Sequence, residues 1–159
     1  MKYDAIQMLL AVLDSSFDHR SWHGPNLRGS IRGLTPDVAI WRPEPGRHSI
    51  AEQVLHAAYW KYVVRRRLKN EKRGSFPRIG SNWFPVEKLT PAEWRESIAL
   101  LENQHAELRA AISELSPADL PRKPAGSKVD NFAIVTGIAA HDVYHAGQIQ
   151  LLKRMQPRI

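Results

Sequence analysis

Residues 131–155 read NFAIVTGIAAHDVYHAGQIQLLKRM, and their apolar side chains recur at every third or fourth position. This spacing predicts an α-helix with one apolar face, which begins near Asp130 or Asn131 and ends near Met155, just before Pro157. The residues predicted to share this face are Ile134, Ile138, His141, His145, Ile149 and Leu152. The helix therefore carries two histidines on the side that it turns towards the rest of the protein.

Three further segments show the same helical spacing. The first covers about residues 2–17. The second begins with a capping box at residues 49–52 and extends to about Asn70. The third begins with a capping box at residues 90–93, with proline at the first helical position, and ends before Pro117. The apolar stripe of the first segment consists of Tyr3, Ile6, Leu10, Leu13 and Phe17.

The connections between these segments are long and rich in glycine, proline and tryptophan, above all residues 18–48. Residues 35–38 and 116–119 resemble the beginnings of short helical turns, and strand patterns are nearly absent. The sequence therefore predicts an all-α protein with one domain, residues 1–159, in which four amphipathic helices pack as a bundle.

The composition limits the chemistry. The chain has no cysteine, which excludes disulfides, thiolate metal sites and a cysteine nucleophile, so that a metal ion would need His, Asp or Glu ligands. No apolar run approaches the roughly 18 residues of a membrane span, and the N-terminal segment lacks the unbroken apolar stretch and the cleavage site of a signal peptide. We therefore expect a cytoplasmic protein with no membrane partner.

The chain is basic, with a formal net charge of +7, and the excess is concentrated in residues 61–73, KYVVRRRLKNEKR. Such a stretch is typical either of a nucleic-acid or membrane contact or of a solvated helix end, where cations also favour the helix dipole. No nucleic-acid motif and no pattern of stacking aromatic residues accompanies the charge. We therefore favour the solvated helix end and expect no specific nucleic-acid partner.

The histidines of the last helix are the main chemical signal. His141 and His145 are four residues apart, so their rings project from one side of a helix and can bind the same metal ion. Pairs with this spacing are common, and two core imidazoles satisfied by ordinary hydrogen bonds are the alternative interpretation. His56, in the second helix, is the candidate third ligand, and His105 is a weaker candidate; for either residue alone a core histidine is the simpler interpretation.

Three stretches of the sequence resemble the DinB-like (DinB/YfiT) superfamily. Residues 42–61, RPEPGRHSIAEQVLHAAYWK, resemble the family's approach to its second helix and its first metal-binding histidine. Residues 136–154, TGIAAHDVYHAGQIQLLKR, resemble its HxxxHxGQI-type segment. Residues 21–39, SWHGPNLRGSIRGLTPDVA, are similar to a loop that many members carry. The likeness extends over most of the chain.

The resemblance implies a four-helix bundle with one long crossover connection, often found as a homodimer. It also implies that three histidines, by position His56, His141 and His145, bind a divalent metal ion such as zinc or nickel. Some relatives are S-transferases that use a low-molecular-weight thiol, and others have no known activity. The expected function is thus a metal-dependent enzyme that activates a thiol or water nucleophile for a small-molecule substrate; the alternative is a non-catalytic, metal-binding stress-response or sensor protein.

Four further residues are candidates for supporting roles, and none is predicted to be catalytic. Glu52 and Gln148 each share a helix face with a predicted ligand, and are therefore candidates for orienting a ligand or a substrate. Trp22 and His23, in the long connection, are candidates for lining the mouth of the pocket, with simple loop packing as the alternative.

Overall fold

The computed structural model describes residues 4–157, and every regular element within that range is helical. The helices are α1 (Ala5–Phe17), α2 (Leu27–Ser30), α3 (Pro36–Ile40), α4 (Ile50–Leu68), α5 (Pro91–Ser113) and α6 (Asn131–Met155), with a 3₁₀ turn at Pro117–Asp119. The all-α class and the four predicted long helices are confirmed. Lys2 and Tyr3, which we predicted to belong to the first helix, lie outside the described residues. No helix among residues 4–157 is long and apolar enough to cross a membrane.

Each long helix begins at a side chain that caps its first free N–H groups. Asp4, Ser49, Thr90 and Asp130 accept hydrogen bonds from the backbone of the first turn of α1, α4, α5 and α6. At Ser49 and Thr90 the capping boxes that the sequence predicted are complete, because Glu52 and Glu93 bond back to the backbone of the cap residue. The start of each helix is therefore fixed by residues within one turn of it.

The four long helices all contribute to two buried apolar clusters. Helix α4 packs against α5 and α6, and α1 packs against the same two helices from the other side. The connection between α1 and α4 is folded onto this bundle, because α2 contacts α1 and α6 and α3 contacts α4. The predicted helical turn at residues 35–38 became α3, whereas α2, with its buried Leu27, was not predicted. The long crossover stays a prediction.

A lysine and an aspartate lie buried in the middle of the bundle. Lys61 of α4 and Asp142 of α6 are both wholly inaccessible to solvent, and Lys61 Nζ lies 2.5 Å from Asp142 Oδ2. The ammonium group also lies 3.3 Å from Nδ1 of His105 in α5 and 4.8 Å from the ring centre of Phe17 in α1. Each of the four long helices thus contributes one residue to the surroundings of this ion pair.

The burial of Lys61 corrects one sequence-based interpretation. The sequence groups Lys61 with the basic stretch at residues 61–73, which we interpret as a solvated helix end. The structure instead places Lys61 in the core, where burial lowers the pKa of its amine and raises the pKa of Asp142. The mutual attraction of the two groups opposes both shifts. Lys61 and Asp142 can therefore stay buried only as a pair.

This pair makes a prediction about stability. Replacing Asp142 by Leu, or Lys61 by Met, leaves the other group buried without its partner and should lower the free energy of unfolding by about 3–5 kcal/mol. The double variant Lys61→Met, Asp142→Leu should be more stable than either single variant, because no unpaired charge remains. Urea denaturation followed by circular dichroism measures all four proteins. Additive losses in the double variant would contradict the prediction.

Candidate metal centre

Three histidine side chains converge between α4 and α6. His141 Nε2 lies 3.1 Å from His56 Nε2 and 3.1 Å from His145 Nε2, and one ligand atom of each residue lies within 4.8 Å of the others. His56 and His145 are buried, and His141 is partly exposed. Three nitrogen ligands at the usual zinc distance, in tetrahedral directions, are separated by about 3.3 Å. The cluster could therefore hold a metal ion with little movement.

Two of the three rings are held so that Nε2 faces the centre. His56 Nδ1–H donates a 2.9 Å hydrogen bond to the backbone carbonyl of Asn82, and His145 Nδ1–H donates to Oε1 of Gln53 at 3.2 Å. Asn82 is itself fixed, because its Oδ1 accepts a 2.9 Å hydrogen bond from Trp60 Nε1. A neutral imidazole has one N–H group, so these bonds leave a free lone pair on Nε2 of both histidines.

His141 is the ring whose hydrogen bonds are incomplete. Its Nδ1 is buried and has no hydrogen-bond partner among the described residues. In one neutral tautomer His141 Nε2 carries the proton, and it can donate to Nε2 of His56 or of His145 but not to both. In the other tautomer His141 Nδ1 carries the proton, so three Nε2 lone pairs face one another and the buried Nδ1–H has no acceptor. A cation at the centre satisfies all three Nε2 atoms together. The donor set therefore fits a divalent metal ion.

The surroundings keep these histidines neutral. Burial is the main cause that lowers the pKa of His145 to about 3 and of His141 to about 4, and the neighbouring histidines add to both shifts. Burial also lowers the pKa of His56, although its hydrogen bond to Asn82 opposes the shift. Imidazole must be neutral to bind a metal, so the cluster is ready to bind at neutral pH.

Trp83 packs on the cluster and was not anticipated from the sequence. Its ring stacks on His56 at 3.8 Å and, on its other face, on His48 at 3.5 Å, as measured between ring centres. The only signal in the sequence was an aromatic residue in a connection rich in glycine and proline, which gives no indication of its contacts. The indole therefore packs between the rings of His48 and His56.

The histidine cluster lies on the wall of a cavity of about 550 Å³. This volume is within the range of small-molecule sites. Gln148 lines the cavity, as does Tyr144, whose hydroxyl accepts a 2.9 Å hydrogen bond from Gln148 Nε2. Leu151, Leu152 and Met155 form an apolar part of the wall. A metal ion at the cluster would therefore be accessible to a small molecule.

Glu52 occupies a different place from Gln148. It does not line the cavity, and its carboxylate accepts hydrogen bonds from Arg42 and from the backbone N–H groups of Ser49 and Val86. Burial alone would raise its pKa, but these bonds outweigh burial and hold the pKa at about 2. Among the residues that line the cavity, His48 contacts Glu52, since His48 Nδ1 lies 3.2 Å from Glu52 Oε2. Its contacts join the start of α4 to the two adjoining loops.

The remaining candidates lie elsewhere. Trp22 and His23 are exposed and do not line the cavity, and Trp22 makes almost no packing contact, with a relative exposure of 102%. His105 lies beside Lys61, where its ring stacks on Phe17 at 3.7 Å, and it is not part of the three-histidine cluster. The structure thus brings together His56, His141, His145 and Gln148.

The depressed histidine pKa values predict how stability depends on pH. Burial, with the charge of Lys61 second, also lowers the pKa of His105 to about 3. The unfolded chain, with His pKa values near 6.5, takes up these protons before the folded protein does, so the free energy of unfolding should fall as pH drops below about 6.5. In metal-free protein we expect a slope above about 1.4 kcal/mol per pH unit between pH 6.5 and 5, which is more than one histidine supplies.

Urea denaturation at several pH values checks this slope. The variant His105→Gln keeps an acceptor for Lys61 but removes one imidazole, and its slope should be shallower than that of the unmodified protein. A free energy of unfolding that does not change between pH 7 and 5 would show that these histidines are not held neutral by the fold.

Comparison with known proteins gives the family. A model described as the DinB superfamily matches residues 20–149, which is most of the chain and includes all three clustered histidines. Neither the curated proteins nor the solved structures contain a significant match. The chain belongs to the DinB superfamily.

Proposed function

We propose that this protein is a metal-dependent enzyme whose three clustered histidines bind one divalent ion, zinc or nickel, and that it activates a thiol or water nucleophile against a small electrophile. The observation that supports this proposal most strongly is the convergence of three Nε2 atoms, 3.1 Å from His141 to each partner, on the wall of a cavity. Protein sites with three ligands and one accessible position are typical of catalytic rather than structural zinc.

The protein's own residues would hold and orient the reactants. A divalent ion held by neutral imidazoles keeps its charge, and can lower the pKa of a bound water or thiol. The bonds from His56 to Asn82 and from His145 to Gln53 would keep the ligands in place. The Tyr144 hydroxyl accepts its bond from Gln148, so its own proton is free to donate to a substrate in the cavity.

The walls of the cavity favour a small molecule with both apolar and polar parts. Leu151 and Met155 offer apolar contacts, and both are about half exposed, with relative exposures of 59% and 50%. Arg47 lines the same cavity and can attract an anionic group such as the carboxylate of a low-molecular-weight thiol. These residues support a thiol as the co-substrate.

The first test is metal content. We expect about one divalent ion per purified chain, and loss of that ion in the double variant His141→Ala, His145→Ala, because two of three ligands are removed. His56→Ala should also lower the metal content. Elemental analysis by mass spectrometry measures the ion and identifies it.

His105→Gln is the matched control for metal content. It replaces a buried histidine outside the cluster, so its metal content should equal that of the unmodified protein. A stoichiometric ion in the double variant, or equal losses from His105→Gln and His56→Ala, would contradict the assignment of the ligands.

The second test is activity. Metal-loaded protein should accelerate the reaction of a low-molecular-weight thiol, or of water, with small electrophiles, and His56→Ala should abolish the acceleration. Tyr144→Phe removes one hydroxyl that faces the cavity. It should leave metal content unchanged and lower kcat/KM about tenfold, the equivalent of one hydrogen bond of about 1.4 kcal/mol.

The alternative function is a non-catalytic metal-binding or sensor protein. The observation that favours it is the burial of His56 and His145, with relative exposures of 6% and 2%, since an ion there would tie α4 to α6. Such a protein would gain thermal stability from the ion by mass action. Metal-dependent stabilisation without turnover of any thiol, water or electrophile combination would support the alternative and contradict the enzymatic proposal.

A further inference from the structure

A second cavity, of about 670 Å³, lies between the C-terminal half of α4 and the loop at residues 73–81. It shares no lining residue with the histidine cavity. The two cavities flank one stretch of chain, since Ser81 lines the second cavity and Trp83 lines the first. The function proposed above makes no use of this second cavity.

Four arginines line the cavity, and none of its described lining residues is acidic. They are Arg66, Arg67, Arg73 and Arg78. Within residues 4–157 none of the four forms an ion pair, whereas the adjacent Arg65 lies 2.7 Å from Glu71 and 3.2 Å from Glu107. Guanidinium groups that surround one cavity repel one another, and a bound anion would relieve this repulsion.

Arg66 carries a hydrogen-bond donor without a partner. Its NH1 donates a 3.0 Å hydrogen bond to the backbone oxygen of Glu71, but its Nε is buried and unpaired among the described residues. That nitrogen has almost no accessible surface, so a ligand in the cavity, which Arg66 lines, would meet the terminal nitrogens of the guanidinium group rather than Nε. A phosphate oxygen is an acceptor that matches the geometry of a guanidinium group.

Aromatic residues also line the cavity. Tyr59, Tyr62 and Phe76 pack edge to face or tilted, with ring centres 5.3 Å apart for Tyr59 and Phe76 and 5.4 Å apart for Tyr62 and Phe76. The Tyr62 hydroxyl accepts hydrogen bonds from the backbone N–H groups of Gly74 and Ser75, at 3.1 and 3.3 Å. These two bonds hold the loop against α4. Gly74 has φ +115°, a conformation that other residues rarely adopt.

We infer that this cavity binds a small organic phosphate, with the phosphate on the arginines and the apolar or planar body against the aromatic wall. The volume is in the range of small-molecule sites, and arginine binds phosphate through paired hydrogen bonds. A single nucleic-acid strand would need exposed aromatic faces on which bases stack. Within the aromatic wall, Tyr62 is only 4% exposed, whereas Tyr59 and Phe76 are partly exposed. The wall thus offers aromatic surface to a small planar group but not the row of open faces that a strand needs.

Titration calorimetry of the purified full chain tests the inference, with ADP as the probe and adenosine as the uncharged comparison. ADP should bind at one site per chain, and adenosine at least tenfold more weakly. The double variant Arg73→Ala, Arg78→Ala should bind ADP at least tenfold more weakly than the unmodified protein. The matched control, Arg20→Ala, Arg95→Ala, removes the same charge at two exposed residues outside the cavity and should bind ADP with unchanged affinity.

Three outcomes would overturn the inference. Equal losses in the two double variants would mean that net charge alone attracts ADP. Loss of ADP binding in the variant His141→Ala, His145→Ala would place the probe at the histidine cavity instead. A single-stranded oligothymidylate that binds more tightly than ADP, with an affinity that rises with its length and depends on Arg73 and Arg78, would identify a nucleic-acid surface.

Discussion

The ion pair between Lys61 and Asp142 is the constraint on which the rest of the structure depends. Either side chain alone would carry a charge into the core at a cost of several kcal/mol, so the two can leave water only together. Their contact requires one particular face of α6 to lie against one particular face of α4. A rotation of α6 by one residue, about 100°, would separate them. Because Asp142 follows His141 directly, the same contact turns His141 and His145 towards His56.

The loop that follows α4 completes the site. The backbone carbonyl of Asn82 accepts the hydrogen bond from His56 Nδ1–H, and Trp83 stacks on the same imidazole ring. Two adjacent residues of the loop therefore set both the tautomer and the plane of the His56 ring. Asn82 adopts φ 64°, in a left-handed conformation that Asn tolerates better than most residues. This conformation lets one residue bind His56 through its backbone and Trp60 through its side chain.

The two cavities differ in charge although they adjoin the same loop. Around the histidines, burial keeps the imidazoles neutral, and Arg47 is the one arginine among the described lining residues. Around Arg66, Arg67, Arg73 and Arg78 the positive charge belongs to the protein itself and has no acidic partner in the described lining. The net charge of +7 is therefore not spread evenly, and part of it is directed into one cavity.

The sequence by itself determined the helices and the pairing of two histidines, because these depend on residues three or four apart. The caps at Ser49 and Thr90 and the shared face of His141 and His145 are such local features. Only the tertiary structure decided the contacts between distant segments. Lys61 and Asp142 are 81 residues apart in the sequence. In the sequence, nothing distinguishes Lys61 from the other basic residues of the stretch at residues 61–73. For the same reason the sequence revealed no aromatic residues beside the arginines, since Phe76 joins Tyr59 and Tyr62 only when the loop folds back onto α4.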